Sequence, residues 1–150
     1  MMTIRVAIFF VPTFSLSITA WAQNHADLPA DAACPAAADV DSQRLYGPWQ
    51  AQVDAGAAAR QATLTLAQNP RYSGSLGGTI VRGGATAQVA GDVDDGAFTL
   101  EESSDGRTIT ATWTGEVVEG SCGREIRGTW KDVADQSTHD FVLRRPPNPP

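Results

Sequence analysis

The stretch RTITATWTGEV, residues 107–117, carries the pattern that decides the fold. Apolar residues alternate here with threonines over the whole stretch, which is the period of a β-strand with one face buried. The apolar face consists of Ile109, Ala111, Trp113 and Val117. No stretch of the chain shows helical spacing over the length that a helix requires, so the pattern predicts an all-β fold.

Seven further runs with similar alternation lie on either side of this stretch. Together with it they predict eight strands, at residues 45–53, 61–67, 72–82, 85–92, 97–103, 107–117, 122–131 and 138–145. The dipeptides Gly83-Gly84, Asp95-Gly96 and Asp105-Gly106 accept positive φ and predict hairpin turns. Short successive connections favour an eight-stranded antiparallel up-and-down barrel, because closure removes exposed strand edges. A β-sandwich is the alternative.

The two ends of the chain have different compositions from the strand region. Arg5 precedes an apolar run at residues 6–18, and Ala20-Trp21-Ala22 has the small-x-small pattern of a cleavage site. We therefore expect a signal peptide at residues 1–22 and a periplasmic or secreted protein, with no membrane insertion after cleavage. The Ala-rich, Lys-poor composition resembles that of bacteria with GC-rich genomes. We further expect a flexible tail at residues 23–43, a barrel domain at 44–145 and a Pro-rich tail at 146–150.

The charge of the chain narrows the range of partners. The net charge is −6, and the few basic residues are scattered along the sequence. Such a chain is a poor candidate for binding nucleic acid or an anionic membrane surface. We expect a monomer.

The chain has two cysteines, Cys34 and Cys122. In an oxidising compartment such a pair predicts one disulfide, and closing a loop of about 87 residues stabilises the fold by about 4 kcal/mol in the chain-entropy account. Lipidation of Cys34 is disfavoured because Asp31-Ala32-Ala33 precedes it, and two free thiols are less favoured still.

The first and last predicted strands carry a known combination of residues. Gly47-Pro48-Trp49 opens the first strand, and Arg144 and Arg145 end the last one. This combination resembles the signature of the calycin superfamily, in which the arginine lies across the tryptophan and closes one end of the barrel. The chain is most similar to the bacterial inhibitors of secreted metalloproteases. That resemblance implies an inhibitor that inserts its N-terminal arm into a protease cleft.

No catalytic or metal-binding pattern is present in the sequence. His25 and His139 are isolated, and Asp94-Asp95-Gly96 predicts a turn rather than a calcium loop. No Gly-x-Ser-x-Gly or phosphate loop occurs. We therefore expect no enzyme activity, no cofactor and no metal.

Four residues are candidates for lining a ligand pocket: Phe98, Glu102, Trp113 and Trp130. The aromatic side chains either fill the core or surround an apolar ligand. Glu102 is expected near one barrel end, where it meets Arg127 or Arg124, or simply reaches water.

These features predict a non-catalytic binding module for a small apolar ligand or an exported protein partner. Two alternatives remain open at this point. One is a protease inhibitor that acts through the N-terminal arm, and the other is a structural protein of the cell envelope.

Overall fold

The computed structural model describes residues 34–55 and 58–147. The predicted signal peptide, the first part of the predicted tail (residues 23–33) and residues 148–150 lie outside the described residues. No helix in the described part of the chain is long and apolar enough to cross a membrane.

Eight strands form one closed antiparallel barrel in which each strand pairs with the next in sequence and the last pairs with the first. The strands are β1 (Gly47–Ala55), β2 (Ala58–Gln68), β3 (Leu76–Arg82), β4 (Ala85–Asp94), β5 (Ala97–Ser103), β6 (Ala111–Val117), β7 (Glu125–Asp132) and β8 (Thr138–Arg144). Pairing of β1 with β8 closes the sheet at Val53 and Phe141. The predicted up-and-down barrel is confirmed, and the sandwich alternative is wrong.

Alternation along the strands places the apolar residues inside the barrel. Phe98 and Leu100 of β5, and Phe141 and Leu143 of β8, are at most 1% exposed, while the residues between them are much more accessible. In β6, Trp113 is fully buried between the more accessible threonines of the same strand. The period-two pattern in the sequence therefore corresponds to the inner and outer faces of the sheet.

Strands β3 and β6 each begin four residues later than the sequence predicts, for the same reason. β6 begins at Ala111 rather than at residue 107, because the Asp105 carboxylate accepts hydrogen bonds from the backbone N–H groups of Arg107 and Thr108. β3 begins at Leu76 rather than at residue 72, because the Asn69 side chain accepts from the N–H groups that follow it. Short polar side chains satisfy the backbone locally and replace ladder pairing.

Two glycines bring β6 and β7 unusually close together. Gly115 lies directly opposite Gly128, and a Cβ on Gly128 would stand 2.1 Å from the Thr114 carbonyl oxygen. A Cβ on Gly115 would stand 2.9 Å from the Phe141 ring. Because glycine has no side chain, the Phe141 ring occupies the space inside the barrel next to these two residues. Its centroid lies 4.9 Å from that of the Trp113 ring.

Residues 34–46, named here the N-terminal strap, pack against the barrel. The strap contains a short 3₁₀ helix (Ala37–Asp39) and one helical turn, α1 (Ser42–Leu45), which is capped by the Asp41 side chain accepting from the Arg44 N–H. Val40 and Leu45 are buried in the core. The expectation of a flexible tail is therefore wrong for residues 34–43, because these two apolar side chains and the half-cystine at the start of the strap fix the segment.

Candidate functional site

One end of the barrel is closed by the tryptophan and arginine that the sequence singles out. The Arg145 guanidinium carbon lies 4.9 Å from the centroid of the Trp49 ring. Arg145 also donates hydrogen bonds to the carbonyl oxygens of Arg44 and Tyr46, the latter at 2.8 Å. The indole N–H of Trp49 donates to the Leu45 carbonyl at 2.8 Å. These bonds attach the strap to the barrel end.

The other candidate arginine has a different role. Arg144 faces outward and forms an ion pair with Glu125, whose carboxylate lies 3.0 Å from it.

Burial lowers the pKa of the Arg145 guanidinium, and the neighbouring Arg124 and Arg44 lower it further. Gly47, at the start of β1, has a φ of 114°, a backbone conformation that residues with a side chain rarely adopt.

The disulfide lies at the same closed end. Cys34 and Cys122 are bonded, with their Cα atoms 4.8 Å apart, as predicted. The bond joins the start of the strap to the connection between β6 and β7, and Glu119 in that connection accepts a hydrogen bond from the Ala37 N–H. A disulfide of this kind indicates an oxidising, extracytoplasmic environment.

The opposite end of the barrel holds a buried carboxylate. Glu102 is 6% exposed, and both of its oxygens accept from the Arg82 guanidinium, at 3.1 and 3.2 Å. The Trp113 indole N–H donates to the same carboxylate at 3.3 Å. Burying a charge is costly unless it is paired and hydrogen-bonded, and these contacts meet that requirement.

The expected partners of Glu102 are therefore wrong. Arg127 lies on the outer face of β7 and pairs with Glu125, while Arg124 donates to the Pro146 carbonyl at the closed end. The actual partner, Arg82, was missed. It continues the inward face of β3 after Ile80, and the pairing of β3 and β5 with the two sides of β4 brings that position near Glu102.

Trp130 completes this second cluster. Arg82 lies over the Trp130 ring at 5.3 Å, and His139 stacks on the same ring at 5.8 Å. His139 directly opposes Trp130 across the β7–β8 pair. The indole nitrogen of Trp130 is buried and has no hydrogen-bond partner among the described residues. The sequence signal that His139 faces inward is its alternation with Phe141 on β8.

The predicted pocket-lining aromatic residues pack against one another. Phe98 and Trp113 are fully buried and Trp130 is 3% exposed. Trp113 makes edge contacts with Phe141 and with Trp130, at centroid distances of 4.9 and 6.5 Å. All of them belong to one continuous core that also contains Trp49. Of the two alternatives for these residues, the structure shows the filled core.

A groove with a volume of about 530 Å³ lies on the outer wall of the barrel. Its floor is formed by outward residues of β4, β5 and β6, and its wall by the connection between β2 and β3. The outward floor residues are Ala90, Asp92, Thr99, Glu101, Thr112 and Thr114, the same strands also contribute Gly91, Leu100 and Trp113, and the wall residues are Asn69, Tyr72 and Ser75. A smaller cavity of about 130 Å³ adjoins it and is bordered by Gln88 and Arg107. The alternation along these strands does not distinguish the groove residues from other outward positions, so the sequence did not indicate the groove.

No family model and no curated protein matches this chain. Within residues 34–55 and 58–147, no group of three or more His, Cys, Asp or Glu side chains is placed to hold a metal ion. The closed end, the buried ion pair and the outer groove are the features that bear on function.

Proposed function

We propose that this protein is an exported, non-catalytic binding protein that recognises a protein partner on the outside of its barrel. The observation that supports this most directly is the position of the open space. The barrel interior is packed with aromatic and aliphatic side chains, whereas the groove of about 530 Å³ lies on the outer wall.

The packed interior argues against a carrier of small apolar ligands. Such carriers enclose their ligand in a cavity of roughly 300–1,000 Å³ that is lined mainly by apolar side chains. Here Trp49, Trp113 and Phe141 occupy the interior and are at most 1% exposed. A ligand would have to displace these side chains from a well-packed core. A partner bound on the outer wall requires no such rearrangement.

Export is the second part of the proposal. The Cys34–Cys122 bond indicates an oxidising compartment, and the predicted signal peptide gives the route. Together they favour the periplasm or the exterior of a bacterium.

Photo-crosslinking tests the proposal. Benzoylphenylalanine is placed at the outward positions Gln50, Thr79 and Thr114, one variant at a time, in the chain from residue 23 onward. We expect an adduct with the same exported protein at one or more positions, reproduced with that protein purified. Native mass spectrometry should give the mass of the chain alone. A stoichiometric apolar ligand together with no protein adduct at any position would overturn the proposal.

A second candidate function is inhibition of a secreted protease through the segment that precedes Cys34. Its support is the disulfide, which anchors the end of that segment to a rigid barrel, together with the sequence resemblance to the metalloprotease inhibitors. Anchoring lowers the entropic cost of binding, because one end of the segment is already fixed.

Truncation tests this second function. The chain from residue 23 and the chain from residue 34 are compared as inhibitors of a secreted zinc metalloprotease, and both retain the Cys34–Cys122 bond. Inhibition by the longer chain alone is the expected result. Equal inhibition by both chains, or none by either, would show that the segment is not an inhibitory arm.

A further inference from the structure

The floor of the outer groove consists of two parallel rows of side chains that cross three strands. Strand register places Ala90, Glu101 and Thr112 in one row and Asp92, Thr99 and Thr114 in the other. All six lie on the outer face of the sheet. Each row has one carboxylate, and the other side chains are small or carry a hydroxyl group.

The groove carries two carboxylates, and Arg107, the cation that borders the adjoining smaller cavity together with Glu101, forms no ion pair with Glu101 within the described residues. Asp92 is exposed, and neither Asp92 nor Glu101 takes part in an ion pair among residues 34–55 and 58–147. None of the residues that line the groove is a lysine or an arginine. The nearest cation in the row of Glu101 is Lys131, which lies on β7, one strand beyond the groove.

The wall adds an aromatic ring to this charge. Tyr72 is 66% exposed, the most exposed of the large hydrophobic residues in the described part of the chain. The loop that carries it is fixed by Asn69, whose side chain accepts from the Arg71 N–H and donates to the Leu76 carbonyl. An exposed ring beside carboxylates is a favourable environment for a cationic side chain.

The two carboxylates have a spacing that suits an extended chain. Asp92 is paired with Thr99, and Glu101 lies two residues further along β5, so the carboxylates are diagonal neighbours on one face. Such neighbours are about 7–8 Å apart. In an extended segment, side chains two residues apart lie on the same side and are separated by about 6.5–7 Å.

We propose that this groove binds an extended polypeptide segment of the partner that has arginine or lysine at alternate positions. The inference rests on the proposed function, since it assumes a protein partner. One cationic side chain pairs with Asp92 and the next with Glu101, and the threonine hydroxyls bond to the backbone between them. The Tyr72 ring packs against one of the cationic side chains.

Two peptides of identical composition test the spacing. The probes are Ser-Arg-Thr-Arg-Ser and Ser-Arg-Arg-Thr-Ser, each acetylated and amidated, titrated into the chain and followed by amide chemical shifts at low salt. We expect the alternating peptide to bind at least about threefold tighter, which corresponds to the energy of one or two exposed ion pairs. Its largest shifts should fall on Thr99 and Thr114.

Two double variants locate the binding. D92N/E101Q removes the groove carboxylates, and D94N/E116Q removes the same charge from the adjoining row of the same strands. D92N/E101Q should abolish the preference between the peptides, and D94N/E116Q should retain it. Two results would overturn the inference: equal affinity of the two peptides for the unmodified chain, or an equal loss of the preference in both variants. Either result would show that only the overall charge of the chain matters.

Crosslinking separates this inference from the proposed function. If the partner adduct forms at positions outside the groove and persists in D92N/E101Q, the binding function stands and the groove assignment fails. If D92N/E101Q abolishes self-association in sedimentation equilibrium, the occupant is a second copy of the chain, and the inference is again overturned.

Discussion

Two adjacent arginines at the end of β8 point in opposite directions and have different roles. Arg145 lies across Trp49 and donates to two strap carbonyls, whereas Arg144 reaches Glu125 on the outer surface. The side chains are identical, so the difference comes from the face of the strand that each occupies. A guanidinium stacked on an indole and bonded to carbonyls stabilises far more than an exposed ion pair does.

Replacing each arginine by alanine should therefore have unequal effects. We expect R145A to lower the free energy of unfolding by about 2–4 kcal/mol, because it removes the stacking and leaves the strap carbonyls unpaired. R144A should lower it by less than about 1 kcal/mol. Urea denaturation followed by tryptophan fluorescence measures both. Similar losses in the two variants would show that Trp49 and Arg145 do not secure the closed end.

A matched pair of glutamates tests the buried ion pair. E102Q keeps an acceptor for the Trp113 indole but leaves Arg82 without a counter-charge above Trp130. Because the Arg82 side chain is 26% exposed, the expected loss is reduced to about 1–3 kcal/mol. E125Q, in the exposed pair with Arg127 and Arg144, should cost less than about 1 kcal/mol. The same urea titration measures the free energy of unfolding of both variants. A larger loss of stability in E125Q than in E102Q would contradict this prediction.

The connection between β5 and β6 shows how one side chain defines an element boundary. Residues 104–110 leave the ladder because Asp105 accepts hydrogen bonds from the N–H groups of Thr108 and Arg107 and from the Thr108 hydroxyl. The backbone N–H of Thr108, followed by that of Arg107, holds the pKa of the Asp105 carboxyl well below its ordinary value of 3.8. The fold therefore favours the charged form of this group.

Because the charged form of Asp105 stabilises the fold, protonation of this carboxyl at low pH lowers the stability. Since the pKa of Asp105 is depressed in the folded state, its contribution is complete above pH 3.8 and is lost as the pH falls from there through the folded pKa. We expect the urea midpoint of the native chain to fall below pH 3.8 more steeply than that of D105N. Parallel profiles of the two proteins would show that the turn does not depend on the charge.

In the whole molecule, pairing of β1 with β8 closes the sheet into a barrel, and the strap covers one end of that barrel. Strand pairing from β1 to β8 leaves no free edge. The strap then covers the end where Trp49 lies, buries Val40 and Leu45, and is held by the bond between Cys34 and Cys122. The disulfide spans a sequence separation of 88 residues, so it restricts most of the unfolded chain.

Removing this bond should destabilise the molecule and release the strap. We expect C34S/C122S to lower the free energy of unfolding by about 3–4 kcal/mol and to speed amide hydrogen exchange at residues 37–45. Reductant should have the same effect on the native chain and none on the variant. Unchanged stability, with slow exchange in the strap, would mean that burial of Val40 and Leu45 is sufficient to hold it.

The sequence predicted the barrel more completely than the candidate sites. β5 begins and ends where the alternation does, at Ala97 and Ser103, because Asp95-Gly96 and Asp105-Gly106 set its turns. The disulfide was also predictable, since the two cysteines had no other partner. The pair of Glu102 and Arg82 was not, because the residues are 20 positions apart on strands that are not neighbours. The groove depends on how the loop of Tyr72 lies over β4 to β6, and no local pattern encodes that position.

The sequence by itself determined the all-β class, the inner and outer faces of each strand and the cysteine pair. These properties depend on residues that are close in sequence or on residue type alone. The period-two alternation and the turn dipeptides therefore indicate them directly. The tertiary structure decided that Arg145 rather than Arg144 closes the barrel, that Arg82 pairs with Glu102, and that the open space lies outside a filled core. Arg145 and the Tyr46 carbonyl are 99 positions apart, and only strand register and barrel closure bring such groups together.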